Sequence, residues 1–418
     1  MQRLLFSLGV LCGSLAAAPA AYAQEGLTFT NWYYEGDIEK SFEVYRTSFE
    51  AAHPEVGAVK VEVIPYPRFL DTLNLRLASG NPPDVSWIDA SHGPGFIAAE
   101  RLVDLSPAIE ADADFNLADF GAAMDPWTID GKVYGIPFTN AGNVVYYNED
   151  IFAKAGVPTP RELLEKGEWT WAKVHAISRD LVARGGARYG FDFGNNLFTT
   201  GWQNLVDILP TFGGAPWSSD GKTCLFTDPK TIEAMQIVHD MIYTDRTHPE
   251  PGVEVDFAAG DMGMSLTRAD FAFRLNDVTF KWDVVPTPSG PEGYVPSLAQ
   301  NAIGVFKGAK HEALGAAFAV WSTNPENDAI WTASASPRLS LQSLDILSKN
   351  NVLSAEQLER AVIPAMQSKK FQLEYTHRNF GPLTSEVERL FSSLIWVPDA
   401  NLGQATSEIC KQIKPLLQ

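Results

Sequence analysis

Residues 27–90 read LTFTNWYYEGDIEKSFEVYRTSFEAAHPEVGAVKVEVIPYPRFLDTLNLRLASGNPPDVSWIDA, and this stretch decides the fold. Leu27 to Asn31 is a short strand. Ile38, Phe42, Tyr45, Phe49 and Ala52 then recur at steps of four and three, the period of an amphipathic helix, with Asp37 as its N-cap and Pro54 as its end. Val59 to Ile64 alternates apolar and polar residues, as a half-buried strand does. A second helix covers Phe69 to Ala78, Ser79 to Pro83 makes a turn, and Asp84 to Ile88 is a third strand. Strand, helix, strand, helix, strand is the grammar of a parallel sheet with helices on its faces.

Outward from that unit, Trp127 to Pro137 reads as a hairpin, because Asp130-Gly131 suits the positive φ angles of a tight turn. Val144 to Tyr147 is a further strand. Residues 150–295 hold a second α/β pattern. In it Trp171, Val174, Ile177 and Leu181 form a helical stripe, and Asp228-Pro229 opens another helix. The last 120 or so residues are mostly helical, with a capping-box pair at Ser354 and Gln357 and long helices over roughly 383–395 and 402–416.

The N-terminus carries a different signal. Arg3, the apolar run Leu4 to Leu15 and Ala21-Tyr22-Ala23 have the layout of a secretory signal peptide, with cleavage expected after Ala23. The run is too short for a bilayer, which takes roughly 20 apolar residues. Cys12 lacks the preceding small residue that a lipid anchor requires. An exported, soluble, periplasmic protein is the expectation, and 418 residues suffice for two domains. The formal charge of -19 argues against nucleic acid or an anionic membrane as partner, since both select basic patches. Past the signal, Cys224 and Cys410 are the cysteines left, and they are either one disulfide or two free buried thiols.

Several of these stretches resemble the extracellular solute-binding proteins of ABC importers, in the sugar-binding group that includes maltose-binding protein. Ala78 to Val85, ASGNPPDV, resembles the family's "SGxxPDV" turn, and Trp127 to Pro137, WTIDGKVYGIP, its "DGKxYGxP" hairpin. Val145 to Phe152 is similar to the "YYNKDLF" strand, Trp169-Thr170-Trp171 to "TWdE", and Phe257 to Met264 to "FxxGkaAM". They fall in the family's order over most of residues 27–400. The resemblance implies an α/β, two-lobe periplasmic binding protein fold of type II, each lobe a sheet flanked by helices, with three hinge crossings. It places an N-terminal lobe at 24–138 plus 299–345 and a C-terminal lobe at 142–297 plus 350–418. The crossings then fall near Phe138 to Gly142, Ser297 to Gln300 and residues 340–355. It also implies a monomer that captures a sugar or polyol between the lobes and hands it to an inner-membrane ABC permease, with no cofactor, no metal and no catalysis.

A sugar offers hydroxyls, which need donors and acceptors together, and C–H faces, which pack on aromatic rings. Loops at strand C-termini supply both. Trp32, Tyr33 and Glu35 follow the first strand, while Trp87, Asp89 and His92 end the third or follow it, with a register open by one residue. Asn140 and Asn143 lie at the first crossing. Thr199 and Trp202 follow a strand over Arg188–Phe193, although Trp202 also has core spacing to Leu205 and Leu209. Arg268 and Asp270 stand where the family has a tryptophan, which implies bidentate hydrogen bonding in place of stacking. Two rivals remain open: the same fold holding a polyamine or other cation on Glu35, Asp89 and Asp270, and an exported glycoside hydrolase. No nucleophile elbow, zinc helix motif or phosphate loop supports an enzyme.

Overall fold

The computed structural model describes residues 26–32, 37–54, 56–194, 201–328, 336–373 and 375–418. The opening unit forms as its periodicities require: β1 (Leu27–Asn31), α1 (Asp37–Ala52), β2 (Val59–Val63), α2 (Tyr66–Ala78) and β3 (Val85–Asp89). β1 lies between β2 and β3 and pairs with both in parallel. Its Leu27 and Phe29 are buried, as a strand covered by helices must be. Phe49 of α1 packs edge-on against Phe318, ring centroids 5.0 Å apart, which brings in the late helix Glu312–Ser322.

Beyond these three strands the sheet is mixed, not parallel throughout. The hairpin forms as β4 (Thr128–Ile129) and β5 (Lys132–Val133), with Asp130 and Gly131 at φ 51° and 76°. There follow β6 (Ile136–Asn148), β7 (Met264–Arg268), β8 (Trp282–Pro286), β9 (Ser297–Gly304) and the short β10 (Gln372–Leu373). β9 runs antiparallel to both β3 and β6, and β10 runs parallel to β9. The expected separate strand at Val144 is the second half of one long strand. Residues Ile136 to Gly142 of β6 pair with β9, and Asn143 to Asn148 are flanked by β7 and β8, both antiparallel.

This strand therefore belongs to two hydrophobic cores. One core gathers Phe29, Phe49, Trp87, Trp127, Phe138, Ile303 and Phe318. Past Asn143 the alternation of the strand divides the other lobe into two layers. Val145 and Tyr147 face Trp171, Trp202 and Phe391, whereas Val144 and Tyr146 face Phe257, Leu347 and Leu358. The chain returns between the lobes twice more. β9 spans from Leu298, opposite Gly142, to Gly304, opposite Ser86. Farther on, Ser340 bonds Asp119 of the first lobe, and Leu347 is buried in the second.

The expected caps are present: Asp228 accepts from Lys230 N–H, and Ser354 with Gln357 completes a capping box. The two final long helices span Phe380–Leu394 and Leu402–Ile413. Cys224 and Cys410 form a disulfide, with Cα atoms 5.4 Å apart, packed half-buried against the second lobe's core.

Candidate binding cleft

A cavity of about 330 Å³ opens between the lobes at the C-terminal ends of β1 and β3. Its N-lobe wall is Trp32, Tyr66 and Asp89. Trp32 is half-buried and braced edge-on by Phe69, Trp87 and Tyr66, with centroids 4.9, 5.1 and 5.6 Å away. Fixed by three rings, its remaining surface is a rigid aromatic platform on the cleft. Asp89 accepts from the Ser91 backbone N–H at 2.8 Å and from the Ser91 hydroxyl, and the Tyr66 hydroxyl donates to it at 3.4 Å. Burial works against its charge. The neighbouring His92 and the Ser91 bonds outweigh that and hold the Asp89 carboxyl below its ordinary range.

The opposite wall comes from three pieces of the C-lobe. Phe193 and Gly194 follow the short bridge at Asp192; Gln203, Asn204 and Asp207 come from the 3-10 turn Gly201–Asp207; Thr267 and Arg268 end β7. Phe193 is held by its backbone N–H, which donates to His248 Nε2 at 3.1 Å, while His248 Nδ1 donates to the Pro249 carbonyl at 2.8 Å. Burial lowers His248 to about 4, opposed only by that Pro249 bond, so the ring is neutral at pH 7. Its approach to Asp192, 3.7 Å, is therefore not an ion pair, and burial raises Asp192 to about 7. Arg268 directs its guanidinium to Asp270, at 3.3 Å from Nε and 3.1 Å from Nη2.

The floor belongs to the strands that pass between lobes. Asn143 of β6 and Ser297, Ala299 and Asn301 of β9 line it. The whole is a concave site of planar amides, carboxylates and one guanidinium beside aromatic rings, the mixture that binds a compact neutral polar molecule. Among the described residues, no cluster of three or more His, Cys, Asp or Glu side chains could hold a metal ion.

Residues 32–329, more than half of the chain, match the model of the bacterial extracellular solute-binding protein family. The chain belongs to that family. A putative binding protein of Brucella abortus is 26% identical over 295 residues, covering 68% of this chain and 69% of the relative. An arabinooligosaccharide-binding protein of Halalkalibacterium halodurans is 26% identical over 332 residues, covering 72% and 68%. Among solved structures, the fold is shared with an ABC substrate-binding protein of Listeria monocytogenes in complex with cycloalternan. That match has a TM-score of 0.81 at 21% identity and covers 94% of this chain and 99% of that one. A maltotriose-binding protein of Thermus thermophilus superposes with TM-score 0.71 at 18% identity, covering 94% and 100%. These likenesses establish the two-lobe fold of a solute-binding protein.

Within this solute-binding fold the sequence-derived candidates separate. Trp32, Asp89, Asn143 and Arg268 come together at the cavity. Tyr33, Glu35 and Thr199 lie outside the described residues. Trp87 is a correction: it is 4% exposed, stacks on Phe138 at 4.9 Å and stands behind Trp32. Every residue from Val85 to Ile88 is buried, so a ring there enters the core. Trp202 is likewise a core residue, fully buried against Trp217, Phe226 and Tyr375. His92 lines a second, largely apolar groove beside Phe380, with centroids 5.2 Å apart. Asn140 is 7% exposed within β6 and does not line the cavity, and Asp270 reaches the cavity through Arg268. The sequence reading passed over Tyr66, Gln203, Asn204, Asp207, Asn301 and Tyr375. Asp207 had a signal, a lone acid in the apolar run Leu205-Val206-Asp207-Ile208-Leu209; Tyr375 had none.

Proposed function

We propose that this protein captures a neutral sugar in the interlobe cleft outside the cytoplasmic membrane and delivers it to an ABC permease, chemically unaltered. The observation that carries this reading is the composition of the cleft. Trp32 offers a braced ring for a C–H face, and Asn143, Asn204, Gln203, Asn301, Asp89 and Asp207 offer acceptors and donors for hydroxyls. The relatives support it, since one binds arabinooligosaccharides and structural neighbours are bound to cycloalternan and maltotriose. A cavity of about 330 Å³ is at the lower end for small-molecule sites, which favours a ligand of one or two rings. The ligand-contacting set is Trp32, Asp89, Asn143 and Arg268 from the sequence, joined by Tyr66, Asn204, Asp207 and Asn301. Trp87 and Trp202 act from behind it.

The proposed lobes are residues 24–138 with 299–345, and 142–297 with 350–418. Ligand touching both walls stabilises the closed arrangement, the hinge mechanism known for periplasmic binding proteins. Residues 1–23 act as the export signal, cleaved after Ala23; intact-mass measurement of exported protein checks this, and a mass retaining Met1 refutes it. The function is tested by small-angle scattering with and without sugar, then recovery of that sugar. A compaction with unchanged sugar is expected. Hydrolysed or transferred product in the recovered fraction makes the protein an enzyme instead.

A further inference from the structure

The C-lobe end of the cleft holds two buried polar side chains with capacity left over. Asp207 is 1% exposed and ends the turn Gly201–Asp207. One carboxylate oxygen accepts from the Ser297 hydroxyl, and the other accepts from Asn143 Nδ2 at 2.9 Å. Both partners stand on strands shared by the two lobes, so the carboxylate is oriented before any ligand arrives. A carboxylate has about four acceptor positions, and these bonds occupy two of them. Tyr375 lines the same cavity at 6% exposure. Its ring stacks on Trp202, with centroids 5.8 Å apart and planes at 15°, which fixes the direction of its C–O bond. Its buried hydroxyl has no hydrogen-bond partner among the described residues, and it lies near enough to Asp207 to feel that charge. Buried hydroxyls are nearly always bonded, so one left over on a cavity wall marks a place where a ligand atom belongs.

We infer that Asp207 and Tyr375 together read one hydroxyl of the ligand, the phenol donating to its oxygen and the carboxylate accepting its hydrogen. This rests on the sugar-carrier reading and sharpens it. A hydroxyl is donor and acceptor at once, and few other neutral groups satisfy both side chains. A ligand lacking it leaves two buried groups unpaired, and sites built to bond a hydroxyl reject such analogues strongly. Trp202 is then a positioning residue, setting the ring that presents the phenol.

A pH dependence follows from the geometry. Burial raises Asp207 to about 6, only partly opposed by the bonds from Ser297 and Asn143. The groups around it do not titrate with it. Tyr375 and Tyr294 are raised by burial and stay neutral, Asn143 and Ser297 carry no charge, Arg268 is tied to Asp270, and Asp89 is held low. A hydroxyl that donates to Asp207 favours its ionised form, so affinity rises as pH goes from about 5 to about 7.

The test uses the mature protein at pH 7.5 and calorimetry against arabinose, glucose, galactose, maltose and cellobiose, followed by monodeoxy derivatives of whichever binds. Tyr375→Phe keeps the ring and its stack on Trp202, so it should fold as wild type, and it is expected to weaken binding roughly 3- to 10-fold. Asp207→Asn should weaken it at least as much and flatten the pH dependence. One deoxy derivative should lose affinity for wild type and lose less for either variant, each of which retains only one of the two bonds. If wild type binds a sugar and Tyr375→Phe binds it equally well, the inference falls while the carrier reading stands. If wild type binds none of these sugars, the carrier reading falls and the inference with it.

Discussion

The N-lobe and the cleft side of the C-lobe treat buried charge differently. In the N-lobe, among the described residues, the buried charged groups have a partner of opposite sign or a set of donors. Arg338, fully buried, bonds Asp119 at 3.1 Å and lies over the rings of Phe120 and Phe115, 4.3 and 5.0 Å from their centroids. Asp89 has Ser91 and His92, and Asp84 accepts from the backbone N–H groups of Thr28 and His311 at 2.9 and 3.0 Å. In the C-lobe, buried Asp283 is paired with Arg360, but on the cleft side Asp192 and Asp207 are given only hydroxyl, amide and backbone donors. The same residue type is therefore pushed down on one side of the cleft and up on the other. Supply of local partners, not depth, sets the direction. One wall comes with its charges settled; the other keeps acceptor capacity for something that arrives.

The contrast breaks most violently at Arg338. Arg338→Met removes the cation and leaves a half-buried Asp119 held only by Ser340, and a loss of about 3 kcal/mol is expected in urea unfolding at pH 7. A loss below about 1 kcal/mol would show the N-lobe pair to be dispensable. Next is the staple of the other lobe. Replacing Cys224 and Cys410 together by Ser should cost about 2–5 kcal/mol while sugar affinity stays within twofold, because neither cysteine lines the cleft.

Asp207→Asn and Asp192→Asn run the other way. An acid whose folded pKa is raised binds its proton more tightly in the folded state. Its cost to stability is absent below the unfolded value near 4, grows as pH rises to about 6 for Asp207 or about 7 for Asp192, and is constant above. The Asn variants should gain on the order of 1–3 kcal/mol at pH 7.5 and nothing near pH 4. A gain that persists at pH 4 would assign it to packing. Asp89→Asn has the opposite sign and the smallest size: about 1 kcal/mol lost at pH 7, vanishing as pH falls through the lowered Asp89 value.

Much of the fold could be read in advance because it is repetitive. The periods of β1 to β3 and of the last helices, the Asp130-Gly131 turn and the caps at Asp228 and Ser354 are local signals, and local physics enforces them. The antiparallel β9 was not legible, since pairing across some 160 residues leaves no mark in either strand. The cleft shows the same limit more sharply. Trp32 and Asp89 were found because they stand at strand ends. Trp87 and Trp202 misled because an aromatic near a cleft and an aromatic bracing a cleft look alike in sequence. Tyr375 comes from a segment far along the chain, and nothing around it announces that it lines the same cavity as Asp207.

The interleaving of the cores has a consequence for how the chain is made. The first core needs Phe29 and Phe138 early and Ile303 and Phe318 late; the second needs Trp171 early and Phe391, Ile409 and Ile413 late. The disulfide repeats the pattern, its cysteines 186 positions apart with the second close to the end. Neither core can close while the ribosome is still working through the middle of the chain. Lobes fold as units, so a nascent polypeptide remains without a finished unit for most of its synthesis. The export proposed for this chain is served by that delay, since an unfinished chain is the easier one to thread through a membrane channel. Here the order of the sequence itself delays the knot.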